Sequence, residues 1–139
     1  MPSESTLGIY IHVPFCVRKC PYCDFYSVPQ TAERIEQYGT ALCRFLRQMQ
    51  TDLPVDTIYF GGGTPSLLPV SLLEKILQTI AGTVSLRQPE ITLECNPATV
   101  NRETLRQLRG IGINRLSIGV QSLSNVQLKR LGRLHDAQT

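Results

Sequence analysis

The first repeating unit of the chain begins with Leu7-Gly-Ile-Tyr-Ile-His-Val13, which runs directly into Pro14-Phe-Cys16-Val-Arg-Lys-Cys20-Pro-Tyr-Cys23. The first seven residues are rich in β-branched and aromatic side chains, which is typical of a strand, and Pro14 ends the run. Three cysteines follow with gaps of three and two residues. This junction predicts a strand whose carboxyl end opens into a loop of metal-ligating residues.

The same strand-then-helix order recurs three more times along the chain. The spacing of apolar residues predicts helices over residues 31–50, from 69, over 101–108 and after 124 or 125, and strands over residues 55–60, 90–94 and 115–118. Asn101 and either Ser124 or Asn125 are the expected N-caps of the last two helices. Short strands that alternate with helices require a parallel sheet with right-handed crossovers. We therefore expect an α/β fold of about four parallel strand–helix units.

Four such units are half of a (β/α) barrel, which uses eight. We expect residues 1–139 to form a single core domain, the N-terminal part of a barrel whose remaining units and C-terminal domain are missing. The last strand would then have an unpaired edge, a feature that promotes pairing between chains. Partial disorder or self-association is the predicted consequence.

The chemically interesting residues lie in the loops that follow the strands. In parallel α/β folds, ligands bind at the carboxyl ends of the strands. The cysteine loop, the run Gly61-Gly62-Gly63, Glu94 and Gln121 each follow a predicted strand or end it. We expect all four to meet on one rim of the sheet.

The composition restricts the class of protein. Hydrophobic residues make up 42% of the 139 residues and charged residues 18%, a balance that indicates a globular domain. The net charge of +3 is too small to predict a nucleic-acid partner. No apolar run reaches the roughly 18 residues of a membrane span, and residues 1–5 lack the pattern of a secretory signal. We expect a soluble, cytoplasmic protein.

Three of the five cysteines lie in the first loop. In a chain without an export signal, this clustering favours a metal site over disulfides. Three thiolates at this spacing suit three corners of one [4Fe–4S] cluster, and no fourth cysteine follows in the loop, which leaves one iron open to an exchangeable ligand. The alternatives are a zinc site completed by His12 and a redox pair of Cys20 and Cys23.

The other cysteines and the histidines are interpreted as structural. Cys43 lies between apolar residues of the first helix and Cys95 ends the third strand, and both are expected to pack in the interior. His12 is expected to be a packed core histidine rather than a ligand, and His135 supports no specific role.

The cysteine segment reads Tyr10-Ile-His-Val-Pro-Phe-Cys16-Val-Arg-Lys-Cys20-Pro-Tyr-Cys23-Asp-Phe. It resembles the cluster motif of the radical S-adenosylmethionine (SAM) proteins. More narrowly, it resembles that of the oxygen-independent coproporphyrinogen III oxidase group. Three later blocks are similar to that group in the same order: Gly61-Gly-Gly-Thr-Pro-Ser-Leu-Leu68, Glu94-Cys-Asn-Pro97 and Asn114-Arg-Leu-Ser-Ile-Gly-Val-Gln-Ser122. The resemblance covers about residues 7–135. It implies a partial radical-SAM-type barrel with a [4Fe–4S] cluster and SAM as cofactors, which together generate a 5′-deoxyadenosyl radical.

One position distinguishes two branches of this group. The oxidases typically carry a further cysteine two residues after the third, where this chain has Phe25. The Cys-Asp-Phe form resembles the HemW-type heme chaperone branch, whose members transfer heme to acceptor proteins. The resemblance implies heme as a possible cofactor of the full-length protein, with heme or a porphyrinogen and a reductant such as a flavodoxin-type donor as partners. The alternative functions are an active coproporphyrinogen III oxidase of porphyrin biosynthesis and a zinc-binding interaction module.

The resemblance also implies a set of site residues. Cys16, Cys20 and Cys23 correspond to the cluster ligands. The positions that match SAM contacts of the family are Tyr10, Tyr22, Gly62, Gly63, Thr64, Glu94, Gln121 and Arg133.

The chemistry of these residues is compatible with those roles but leaves alternatives. The glycines allow the backbone to approach a ligand, or simply form a tight turn. Glu94 is suited to accept hydrogen bonds from ribose hydroxyls or to end a strand in solvent, and Gln121 both donates and accepts. Tyr10 contacts the cofactor or packs on its strand. Arg133 pairs with a carboxylate or belongs to a solvated helical face.

Overall fold

Six strands and four helices make up residues 5–139, which are the residues that this computed structural model describes. The strands are β1 Leu7–Val13, β2 Phe15–Cys16, β3 Val28–Pro29, β4 Val55–Gly62, β5 Leu86–Cys95 and β6 Arg115–Ile118. The helices are α1 Ala32–Leu46, α2 Val70–Ala81, α3 Arg102–Gly110 and α4 Asn125–Arg130. Single 3₁₀ turns, Pro65–Leu67 and Pro97–Thr99, follow β4 and β5.

The main sheet contains β1, β4, β5 and β6 in that order, and all neighbouring pairs are parallel. Each crossover contains a helix and moves the chain one strand along in the same direction, so α1 contacts α2 and α2 contacts α3. The predicted α/β fold of parallel strand–helix units is confirmed. Thr31 caps α1 and Asn101 caps α3, each by accepting a backbone N–H three residues ahead.

Three boundaries differ from the predictions. β4 continues to Gly62. β5 begins already at Leu86, because a register shift against β4 and a positive φ of 44° at Gln88 let the strand pass Pro89. α1 ends at Leu46, and the N–H groups of Gln48 and Met49 bond three residues back and tighten the last turn.

The short sheet formed by β2 and β3 is not expected from the sequence. Phe15 pairs with Val28 and Cys16 with Pro29, and the Val28 N–H donates to the carbonyl of Pro14 at 2.7 Å. Residues 17–27 therefore form a loop whose two ends are held together. This closure limits the positions that the three cysteines can reach.

The core lies between the helices and one face of the sheet. The largest fully buried apolar side chains of the sheet and of α2 are Phe60, Ile58, Leu93, Val13, Leu73, Ile76 and Ile80. Leu128 of α4 is also fully buried. Burial of each aliphatic side chain contributes about 1.5–3 kcal/mol. Cys43 and Cys95 are also buried, as predicted.

The opposite face of the sheet is more open. Tyr10 lies beside Tyr59 in the register of β1 and β4, and their rings stack with centroids 5.9 Å apart. The side chain of Tyr10 stays 59% exposed. At the far side of the sheet, β6 pairs only with β5 within the described residues, and Leu116 and Ile118 are partly exposed. Within residues 5–139, no helix is long and apolar enough to cross a membrane.

Candidate functional site

One cavity of about 280 Å³ lies at the carboxyl ends of the four parallel strands. Its walls come from the cysteine loop, the glycine run after β4, the end of β5 and the segment after β6. The residues of the expected set that line it are Cys16, Cys20, Cys23, Tyr22, Gly62, Gly63, Thr64, Glu94, Gln121 and Arg133. The expected convergence on one rim is therefore present.

The three cysteines of the loop are half-buried free thiols. A hydrogen bond from the Cys23 N–H to the Cys20 carbonyl, 3.0 Å long, forms a tight turn between them. Two sulfur atoms already accept hydrogen bonds: Thr64 Oγ1 donates to Cys16 Sγ and Arg133 Nη1 to Cys20 Sγ, each at 3.8 Å. Donors beside sulfur stabilise negative charge on a thiolate, which is the form that ligates metals.

No three histidine, cysteine, aspartate or glutamate side chains in the described part of the chain converge on a single metal ion. His12 in particular does not turn towards the cysteines. Its Nε2 lies 3.1 Å from the carbonyl of Tyr26 and its ring lies against Gly62.

His12 is predicted from the sequence to be a packed core residue, and this prediction is wrong. Because it alternates with Ile11 and Val13 along β1, its side chain leaves the helix-covered face and reaches the partly exposed face of the sheet. There it holds one end of the cysteine loop.

The glycine run packs tightly against the cysteine loop. A Cβ atom on Gly63 would lie 2.6 Å from the carbonyl oxygen of Phe15, and a Cβ on Gly62, whose φ is +112°, would strike the His12 ring. The N–H groups are also in use: Gly63 donates to Val13 O at 2.8 Å and Thr64 to Phe15 O at 2.7 Å. The close packing of this run against the cysteine loop requires glycine at both positions, and it is compatible with a ligand contact through the backbone carbonyl groups.

Glu94 lies at the end of β5 with both carboxylate oxygens engaged. Oε1 accepts the hydroxyl of Tyr59 at 2.7 Å and Oε2 accepts the N–H of Gly62 at 3.1 Å. The bond to Glu94, together with burial, raises the pKa of Tyr59 above its ordinary value. Glu94 is therefore no solvent-facing strand end. Each oxygen retains one lone pair, so further donors from a ligand can still be accepted.

Arg133 joins three parts of the rim. Nη2 donates to Asn96 Oδ1 at 2.6 Å and to the carbonyl of Gly119 at 2.7 Å, and Nη1 faces Tyr22 and Cys20. The interpretation of Arg133 as part of a solvated helical face is wrong, because the residue lies beyond the end of α4 and turns into the cavity. Within the described residues, its Nε is the one buried side-chain nitrogen or oxygen without a hydrogen-bond partner.

Gln121 and Tyr22 complete the cavity wall. Gln121 has a φ of +65°, an unusual backbone conformation that turns the chain after β6 back towards the rim. Burial, followed by contact with Cys20, raises the pKa of Tyr22 above its ordinary value, so its hydroxyl stays protonated near neutral pH.

Tyr10 is the one expected site residue that does not line this cavity. It is displaced along the open face of the sheet, where it stacks on Tyr59 and its hydroxyl lies 3.4 Å from His12 Nδ1. Burial and the nearby Glu94 carboxylate raise its pKa.

Sequence reasoning misses two functional candidates. Asn96 accepts from Arg133 and donates to Thr64, and Tyr59 supports Glu94. Asn96 lies in the Glu94-Cys-Asn-Pro97 block, and this position is the only feature of the sequence that could have identified it. By itself, the block indicates only the end of a strand. No local pattern identifies Tyr59, because its partner is 35 residues away.

The donor set fits a cluster and a carboxylate-bearing ligand. Three half-buried thiols, two of them already hydrogen-bonded, line the same cavity as Arg133. Thiolates bind iron, and the positive charge of a guanidinium attracts a carboxylate. The residues present therefore suit both groups.

Comparisons with known proteins identify relatives of this chain. The chain is 41% identical to the heme chaperone HemW of Escherichia coli, over 95% of this chain and 36% of that protein. It is 39% identical to the heme chaperone HemW of Haemophilus influenzae, over 99% of this chain and 38% of that protein. It therefore spans less than two-fifths of the length of these relatives.

A solved structure and a protein-family model extend the comparison. The structure of coproporphyrinogen III oxidase (HemN) from E. coli, described as a radical SAM enzyme, superposes with a TM-score of 0.86 at 27% identity, covering 96% of this chain and 32% of that one. The predicted partial radical-SAM-type fold is thereby confirmed. The description "Radical SAM superfamily" matches residues 10–139. The chain belongs to the radical SAM superfamily.

Proposed function

We propose that this chain binds a [4Fe–4S] cluster through Cys16, Cys20 and Cys23 and holds SAM in the adjoining cavity. The observation that carries the proposal is the shared cavity: three free thiols and the cationic side chain of Arg133 line the same space of about 280 Å³. Family membership supports the identity of both groups. When bound, such a cluster supplies one electron for reductive cleavage of the SAM sulfonium.

The residues of the chain would divide the work of binding. The three cysteines leave one corner of the cluster without a protein ligand. Arg133 supplies a cation for the carboxylate of SAM, and the carbonyls of Gly62 and Gly63 are left to accept from its amino group, because their N–H groups are already used. The remaining residues proposed as cofactor contacts are Tyr10, Tyr22, Thr64, Glu94 and Gln121.

This chain spans less than two-fifths of the length of the relatives named heme chaperone, and for a protein of their full length we propose heme transfer to acceptor proteins. Two features support it: the relatives named heme chaperone align over nearly all of this chain, and Phe25 stands where the oxidase branch has a further cysteine. Phe25 lines the cavity and is 62% exposed, so a larger partner could reach it. A flavodoxin-type donor as the reductant and a cytoplasmic location remain predictions from the sequence.

The second candidate is an active coproporphyrinogen III oxidase, favoured by the fold match to HemN. An anaerobic assay of the full-length protein separates the two. Formation of protoporphyrinogen from coproporphyrinogen III supports the oxidase. Heme bound in a fixed ratio to protein, without that product, supports the chaperone.

Anaerobic reconstitution of the present chain tests cofactor binding. We expect about four irons per chain, and an electron paramagnetic resonance (EPR) signal of the reduced cluster that changes when SAM is added. Cys20→Ser should lose the cluster, whereas Cys43→Ser, at a buried thiol remote from the cavity, should keep it. One tetrahedral zinc per chain in place of iron would refute the proposal.

A further inference from the structure

A chain of hydrogen bonds connects two of the loop cysteines through side chains from the ends of β4 and β5 and from the segment after α4. It runs from Cys20 Sγ to Arg133, from Arg133 to Asn96, from Asn96 to Thr64, and from Thr64 to Cys16 Sγ. We propose that Asn96 is a positioning residue that fixes the Thr64 hydroxyl as a donor to Cys16 and thereby raises the reduction potential of the cluster. This inference rests on the proposed cluster at Cys16, Cys20 and Cys23.

The arginine sets the orientation of the Asn96 amide. A guanidinium has donors only, so the atom of Asn96 that lies 2.6 Å from Arg133 Nη2 must be the carbonyl oxygen. The other end of the amide, Nδ2, then points to Thr64 Oγ1 at 3.2 Å. The two possible amide orientations are thus reduced to one by a neighbour that cannot accept.

The amide in turn sets the direction of the Thr64 hydroxyl. Nδ2 of Asn96 has donors only, so Thr64 Oγ1 accepts from it and keeps its own hydrogen for another partner. Cys16 Sγ, 3.8 Å away, is that partner. Thr64 is buried, with 5% of its surface exposed, and its backbone N–H is tied to Phe15, so the hydroxyl has little freedom to turn elsewhere.

A directed donor at a ligand sulfur has a defined electrical effect. Reduction adds negative charge to the cluster and its thiolates, and a hydrogen bond to sulfur stabilises the reduced form more than the oxidised form. Thr64 and Arg133 each supply one such donor. Asn96 touches no sulfur, yet it determines whether the Thr64 donor is aimed at Cys16.

The variant Asn96→Asp tests the direction of the hydroxyl at nearly constant shape. A carboxylate still accepts from Arg133, but it also accepts from Thr64 and draws the hydroxyl hydrogen away from Cys16. Thr64→Val removes the same donor directly. In redox titrations of the reconstituted chain we expect both variants to lower the ratio of reduced to oxidised cluster at a fixed potential by about threefold or more.

The added charge of Asn96→Asp is separated by a double-variant comparison. The shift caused by Asn96→Asp should be clearly smaller in the Thr64→Val background, where no hydroxyl remains to be redirected. Pulsed electron–nuclear double resonance of the reduced wild-type cluster should show a proton coupling that disappears in D₂O. This coupling should be absent from each single variant. Asn101→Asp, a distant helix cap, controls for charge, and Thr92→Val, a buried threonine of β5, controls for hydroxyl loss.

The outcomes separate this inference from the proposed function. Equal shifts from Asn96→Asp in both backgrounds, or an unchanged proton coupling, overturn the role of Asn96 while the cluster proposal stands. A wild-type chain that takes up no cluster overturns both. If Asn96→Asp does not fold, an unchanged potential in Thr64→Val overturns the inference by itself.

Discussion

The backbone N–H of Gly62 donates to Oε2 of Glu94 across 3.1 Å, and this bond joins the glycine run after β4 to the end of β5. The other carboxylate oxygen accepts from Tyr59 on the open face of the sheet. Glu94 therefore shapes the cavity wall before any ligand arrives. A residue expected to contact SAM is also part of the scaffold that holds the glycines in place.

This double role predicts a loss of stability that does not depend on cofactors. Glu94→Ala removes both acceptors, and we expect the free energy of unfolding of the apoprotein to fall by about 2 kcal/mol. Glu94→Gln keeps the shape and one carbonyl acceptor and should cost less. Urea unfolding measures both, and Tyr59→Phe completes a double-mutant cycle in which the pair should be non-additive. An Ala variant as stable as wild type would contradict the assigned contacts.

Gly63 is predicted to be intolerant of any side chain. A Cβ at this position lies 2.6 Å from the backbone carbonyl of Phe15, which cannot move without opening the cysteine loop. Gly63→Ala should lower the free energy of unfolding by about 2 kcal/mol or more and reduce the iron taken up on reconstitution.

The matched control for this substitution is Gly110→Ala. Gly110 ends α3, and a Cβ added there would meet no neighbouring atom within 4 Å, so the change should be neutral or slightly stabilising. Equal losses from the two substitutions would show that the close contact at Gly63 is not the cause.

The buried thiol of Cys95 predicts a loss of stability at alkaline pH. Burial raises its pKa to about 11, from a reference value of 9.0. Between these values the unfolded chain loses the thiol proton while the folded chain keeps it, so the folded state is favoured less as pH rises. Comparison with Cys95→Ala isolates this effect from the other ionisable groups of the chain.

We therefore expect the stability advantage of wild type over Cys95→Ala to shrink as the pH rises from 9 to 11. Chemical unfolding at several pH values measures it. A constant difference across this range would mean that the thiol ionises equally in both states.

The exposed side of the sheet predicts self-association of this chain. β6 pairs only with β5 in the described residues, and in the segment that follows it Leu123 and Val126 are 80% and 65% exposed. Sedimentation should show a mass that increases with concentration. Leu123→Lys with Val126→Lys should suppress the increase, whereas Phe45→Lys, at an equally exposed position on α1, should not. A concentration-independent monomer would refute the expectation.

Local patterns were sufficient for the elements of the fold. The spacing of apolar residues located the four helices and the four strands of the main sheet in the described residues, and Thr31 and Asn101 act through atoms three residues away. The cysteine spacing and the order of the four blocks also identified the radical SAM family, because these are properties of short contiguous segments. Boundaries failed where pairing overrides propensity, as at Leu86, which joins β5 through its partner Val55.

The partners of the polar groups depended on the tertiary structure. Glu94 bonds to Gly62 from 32 residues away along the chain, and Arg133 bonds to Asn96 from 37 residues away. The spacing of residues within one helix or strand cannot predict partners at such separations. The same applies to His12, whose side of the strand depends on where the helices pack. The residue types determine which side-chain atoms can donate and accept hydrogen bonds. Only the packing of the four strand ends against one loop determines which of these atoms lie within bonding distance.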